Sequence, residues 1–280
     1  MPDVADFRVA ADLPPRRAIE YLEAKGYLIS WDWREVEQRL HAVAFTVAKA
    51  TEASVLETIR GAVDRALTEG WTERQFRQEL EPALRRAGWW GKQTRIAPDG
   101  SEQVVQLGSA RRLRTIYRTN MRTARAAARF QSQSANLAAR PYWMYVGIED
   151  SRIRPSHLAL SGRVFRADDP IWRYIYPPNG WGCRCRVRAL TEAQVRMMGL
   201  QVYSSAGRLR EVDQLVDERT GLYRPGIEYV FEDPPHGAQM VFRPDPGWSE
   251  APVAGAAAAD LLAQVRARNP QLFAQIGGGP

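Results

Sequence analysis

The spacing of apolar residues over the first ninety positions predicts helices. Val36, Leu40, Val43 and Val47 recur at intervals of 4, 3 and 4, the repeat of one helical face, with Asp32 and Glu35 as a capping box in front of them. Val55, Ile59, Val63 and Leu67 repeat at every fourth position from about Glu52, and Gly70 stops that helix. Thr72 with Gln75 caps a third helix carrying Phe76, Leu80 and Leu84, which Pro82 bends or restarts. A short helix over residues 17–25, after Pro14-Pro15, precedes all three.

The pattern then changes. Gly88-Trp89-Trp90-Gly91 breaks the helical repeat, and Pro98-Asp99-Gly100 is a turn signal between short strands holding Ile96 and Val104-Val105. Residues 109–139 are rich in Ala, Arg and Gln, good helix formers, and predict one long helix ended by Pro141. Residues 142–148 read as a strand, and the stretch up to residue 190 is loop-heavy. A short helix capped by Thr191 leads to Gly199. Residues 201–250 read as irregular with short strands. An Ala- and Gly-rich tail follows, with a short helix near residues 258–268 and mobility until it is bound. The expected fold is α+β, mainly α. A helical module over 1–91 leads to a core over 92–190, made of the long basic helix, a small β-hairpin and loops. An irregular region over 191–250 and the tail over 251–280 complete the chain.

Composition narrows the class. Of the 280 residues 45% are hydrophobic and 25% charged, as in ordinary folded proteins. No stretch approaches the ~18 apolar residues of a membrane span. The first fifteen residues carry Asp3, Asp6 and Asp12 and lack the apolar run of a secretory signal, so synthesis and assembly in a cytoplasm are expected. Cys183 and Cys185 are the only cysteines, which excludes a disulfide framework.

Charge changes the picture more. The net charge is +7, yet between Gln103 and Ile148 there is no Asp, Glu or Lys and there are eight Arg, so the remainder of the chain is near −1. Arg111, Arg114, Arg118, Arg122, Arg125 and Arg129 are spaced 3, 4, 4, 3 and 4 and share one face of the long helix. Arg binds phosphate bidentately and stays charged, so the stripe suits a nucleic acid or an acidic protein partner. Pairing with acids from elsewhere in the chain is the alternative.

His157, Cys183 and Cys185 form a metal-like set, with Asp150 or water as a fourth ligand, and zinc is the ion such ligands suit. The alternative is two small buried cysteines flanking Arg184 and a hydrogen-bonded His157. Asp150, Arg152, Arg154 and His157 can be read as an acid–base cluster, although with an Arg nearby Asp150 is more simply half of a structural ion pair. No nucleophile elbow, phosphate-binding glycine loop or zinc-protease helix motif occurs in the chain. His41 reads as a packed helix residue and His236 as a loop residue. Trp89, Trp90, Trp172 and Trp181 read as core residues or interface anchors.

The order of several short motifs carries a resemblance. Arg112-Leu113 and Thr115-Ile116-Tyr117-Arg118-Thr119-Asn120 are followed by Arg140-Pro141-Tyr142 and by the run from Asp150 to His157. Then come Leu160-Ser161-Gly162, Asp168-Asp169-Pro170-Ile171-Trp172, Pro177-Pro178-Asn179-Gly180 and Cys183-Arg184-Cys185. With Gly88-Trp89-Trp90-Gly91 before them and Pro244-Asp245-Pro246-Gly247 after, they resemble the head-morphogenesis domain of phage Mu F-like minor head proteins. The resemblance covers roughly residues 14–250. Relatives often carry Arg-Thr-Glu where this chain has Arg118-Thr119-Asn120, which removes an acid from that position.

The resemblance implies a minor capsid protein of a tailed phage or prophage, located in the virion head and assembled in the host cytoplasm. It would act in procapsid assembly and DNA packaging. Its implied partners are the portal protein, the major capsid or scaffolding protein, and double-stranded DNA, with no membrane. It implies no catalytic reaction and no cofactor. A metal-dependent nuclease and a DNA-binding accessory protein are the competing expectations.

Overall fold

A computed structural model describes residues 15–36, 41, 44–232 and 239–252. Helix α1 (Arg16–Glu23) starts after Pro15 and buries Ala18, Tyr21 and Leu22. Helix α2 (Ala53–Thr68) buries the predicted face of Val55, Ile59, Val63 and Leu67. It ends just before Gly70, whose φ of 69° suits only glycine without strain. Helix α3 (Glu73–Arg86) has the full capping box between Thr72 and Gln75 and buries Phe76, Leu80 and Leu84. Pro82 lies inside α3, which continues through it.

The segment between α1 and α2 departs from expectation. Trp33–Glu35 is a single 3-10 turn, with Asp32 accepting from the Arg34 amide, and Ala44–Phe45 is a strand. That strand, β2, pairs in parallel with β1 (Gly26–Tyr27), and the Leu28 amide donates to the Phe45 carbonyl. Residues 37–40, 42 and 43 of the expected helix lie outside the described residues. Val36 and Val47 are buried as their spacing suggested, but Ala44-Phe45 pairs as a strand and Thr46-Val47 follows it outside any helix.

Strands β3 (Lys92–Ile96) and β4 (Glu102–Gln106) form the predicted hairpin around Pro98-Asp99-Gly100. Helix α4 (Ala110–Ser134) is capped by the Ser109 side chain, which accepts from the Arg112 amide; it ends five residues short of the predicted end. Leu113, Ile116, Met121, Ala124 and Ala127 are buried along α4 and join α1–α3, Val105 and Leu107 in one hydrophobic cluster.

A second cluster begins where α4 ends. A four-stranded sheet has the order β7-β5-β6-β8, with β5 (Tyr142–Val146) between β7 (Arg186–Leu190) and β6 (Val164–Arg166), and β8 (Val202–Tyr203) parallel to β6. Short helices α5 (Pro155–Leu160), α6 (Trp172–Ile175) and α7 (Glu192–Met197) connect these strands. Trp143 contacts Trp172, Tyr176 and Phe130 edge-on, with ring centroids 5.6, 5.7 and 5.8 Å away. Phe130 belongs to α4, so that helix is shared by both clusters.

Residues 201–250, expected to be irregular, contain a three-stranded antiparallel sheet: β9 (Leu209–Asp217), β10 (Leu222–Glu232) and β11 (Gln239–Phe242) in the order β11-β10-β9. Pro225-Gly226 lies within β10 and makes no turn. A Cβ on Gly226 would sit 2.8 Å from Oε1 of buried Gln214, which donates to the Pro244 carbonyl. The glycine makes room for that side chain. The fold is mixed α and β, with its longer helices before residue 135 and most of its sheet after residue 141. Among the described residues no helix is long and apolar enough to cross a membrane. His236 and the expected tail helix near 258–268 lie outside the described residues.

Candidate functional site

Helix α4 divides its charge and its packing between opposite faces. At 100° per residue the six stripe arginines fall within about 80° of arc, and the buried Leu113, Ala124 and Ala127 lie across the axis from them. The stripe is not uniform. Arg114 and Arg118 both bond the Glu73 carboxylate of α3, at 2.9 and 2.7 Å. Burial would raise the Glu73 pKa, but the hydrogen bonds from Arg118 and Arg114 outweigh it and hold the carboxyl below its ordinary value. Arg122 is half-buried and donates to the Cys183 carbonyl at 3.5 Å. Arg111, Arg125 and Arg129 are exposed and have no ion pair among the described residues.

Arg112, off the stripe, is a packing residue. Its guanidinium lies 4.7 Å from the Trp89 ring centre and donates to the carbonyls of Ala48 and Gln106. Burial lowers its pKa to about 10. Trp89 and Trp172 are core residues, whereas Trp181 is 41% exposed and packs edge-on against Trp33 and Trp248.

The second constellation is buried. Arg154 occupies the N-cap position of α5, Pro155 opens the helix, and His157 lies on its buried side. The ligand atoms of His157, Cys183 and Cys185 all lie within 4.8 Å of one another. His157 Nδ1 is 3.4 Å from Cys185 Sγ, 3.8 Å from Cys183 Sγ and 3.3 Å from the Tyr145 hydroxyl, which is 3.0 Å from Asn179 Oδ1. A hydrogen bond from Cys185 pulls the Cys183 thiol well down, against its burial, and the same bond together with burial pushes Cys185 up. Burial, chiefly, raises the Tyr145 phenol.

Asp150, expected as a fourth ligand, stands outside this group. Arg184 holds its carboxylate at 2.7 Å and Arg152 at 3.1 Å, and the Arg184 hydrogen bond is the chief cause of its lowered pKa. Asp150 and His157 therefore form no acid–base pair. Tyr145 and Asn179 join the group although no local sequence motif marks them as site residues. Tyr145 was legible in principle, because alternation along β5 sends Trp143 and Tyr145 inward together.

Two motifs meet beside the cluster. The Asp245 amide donates to the Asn179 carbonyl, and Arg154 bonds both Asp245 Oδ2 (2.9 Å) and the Trp181 carbonyl (3.1 Å). A Cβ on Gly180 would collide with the Asp245 carboxylate, so only glycine fits there. A cleft of about 540 Å³ lies between the α1–β2 region, α4 and Trp181-Trp248, with Lys25 and His41 in its wall. Burial and nearby Arg60 lower the Lys25 pKa to about 7. Burial, then the Lys25 charge, lowers that of His41 to about 4.

The ordered motifs that converge here are shared with known proteins. Residues 57–188 match the family described as "Phage Mu protein F like protein". The chain is 44% identical over 276 residues to "Putative capsid assembly protein F" of Escherichia phage Mu, covering 97% of this chain and 62% of that protein. It is 53% identical over 195 residues to the "Mu-like prophage FluMu F protein" of Haemophilus influenzae, covering 69% of this chain and 46% of that protein. The chain thus spans less than two thirds of the length of either relative. No solved structure matches it. Residues 57–188 thus carry the match to the phage Mu F-like family, and the chain is similar along most of its length to a phage Mu F protein, as the ordered motifs implied.

Proposed function

We propose that this chain is a minor head protein acting in head morphogenesis of a tailed phage or prophage, without a chemical step of its own. The observation that carries this reading is the 44% identity along 97% of the chain to a phage Mu protein named for capsid assembly. Its partners in the proposal are portal, major capsid or scaffolding protein, met in the virion head and in host cytoplasm. The exposed Arg111, Arg125 and Arg129 give α4 a surface suited to DNA or an acidic partner. The nuclease reading is weaker because Asp150 is occupied by Arg184 and Arg152, away from the His157–Cys183–Cys185 group.

Disrupting the coding sequence in the phage or prophage tests the proposal. The expected outcome is loss of infectious particles with heads that fail to mature, restored by the gene supplied in trans. Normal particle yield would overturn it. For the DNA contact, the purified chain should bind duplex DNA with an affinity that falls as salt rises. Joint replacement of Arg111, Arg125 and Arg129 by Ala should flatten that slope by up to about three counterions, at roughly 0.9 per lost phosphate contact. A slope unchanged by these substitutions would assign the surface to a protein partner.

A further inference from the structure

We propose that His157, Cys183 and Cys185 hold a structural zinc ion, with the fourth position closed by the Tyr145 hydroxyl or a water bound to it. The argument starts from crowding at one nitrogen. Two sulfurs and a hydroxyl oxygen converge on His157 Nδ1 at 3.4, 3.8 and 3.3 Å. A neutral imidazole Nδ1 offers one lone pair or one N–H, so it cannot satisfy three partners. The single proton of Tyr145 is directed to Asn179 Oδ1 at 3.0 Å, which leaves its oxygen lone pairs toward the cluster. One cation at the centre gives every one of these groups a partner.

The distances fit that cation. Tetrahedral zinc, with Zn–S of about 2.3 Å and Zn–N of about 2.0 Å, places sulfur and nitrogen about 3.5 Å apart. The observed 3.4 and 3.8 Å bracket that value. Thiolate plus imidazole is a soft ligand set that selects zinc over magnesium or calcium. His157 is 2% and Cys183 6% exposed and Cys185 is half-buried, so the site is largely withdrawn from solvent in the manner of a structural centre. Both cysteines are free, and together with His157 they would tie the segment before β7 to α5 through the metal.

The test uses the full chain, purified without chelator and reconstituted with zinc, then analysed for metal content. One zinc per chain is expected, with both thiols protected from alkylation until the metal is removed. Cys183→Ser, Cys185→Ser and His157→Ala should each lose the zinc, whereas Asp150→Asn should keep it. Should those variants misfold, cobalt substitution of the unaltered chain decides. A tetrahedral cobalt spectrum with thiolate charge-transfer bands supports the site. A reconstituted wild-type chain without bound metal and with freely alkylated thiols would overturn it and leave a hydrogen-bonded Cys–His cluster.

Discussion

The two hydrophobic clusters are made of different side chains, and they were legible to different degrees. Around α2 and α4, four of the 24 buried residues among those described are aromatic and the rest are mostly Ala, Leu, Val and Ile on helical faces. Around β5, eight of the 13 are aromatic, drawn from β5, β6, α6, β10 and β11 and from the end of α6. Aliphatic helices pack by periodicity, which a single sequence displays. Aromatic cores pack by edge-to-face geometry between residues distant in the chain, which no local pattern encodes.

That contrast predicts where damage spreads. Trp143→Ala should cost about 3–5 kcal/mol in chemical denaturation and erase much of the near-UV circular dichroism, because Trp172, Tyr176 and Phe130 all lean on that ring. Ile59→Ala, at a fully buried aliphatic position, should cost about 2–4 kcal/mol while sparing the near-UV signal. Equal loss of that signal in both variants would break the distinction between the clusters.

Lys25 sharpens the comparison at the edge of the aliphatic cluster. Its folded pKa of about 7 lies below the ordinary 10.5, so between those values the unfolded chain binds the extra proton. Stability should therefore rise from about pH 7 towards pH 10.5, with the burial penalty fully present below pH 7. Lys25→Met should flatten this rise and stabilise the chain at pH 7 by about 1–3 kcal/mol, allowing for the lost bond to the His41 carbonyl. The smallest effect concerns the α4 surface. Glu73→Gln should change stability by less than about 1 kcal/mol, because its ion pairs are solvent-exposed. It should also tighten binding to duplex DNA at low salt by releasing Arg114 and Arg118.

The capping residues Thr72 and Thr191, the turn at Asp99-Gly100 and the arginine face of α4 were readable because each depends on residues within a few positions. Strand β2 was not, since its pairing with Gly26-Tyr27 overrides a helical spacing. Strand β10 was hidden by Pro225-Gly226, a pair that ordinarily marks a turn. For the buried cluster, residue types suggested His157 with Cys183 and Cys185. Only the fold reveals Tyr145 and Asn179 beside them and assigns Asp150 to Arg184.

The most direct test of the head-protein reading is quantitative mass spectrometry of purified particles and empty procapsids from the phage or prophage encoding this chain. The chain is expected in both, at a few copies per particle. Its absence from both would contradict a place in the head and would favour a DNA-binding role outside the virion.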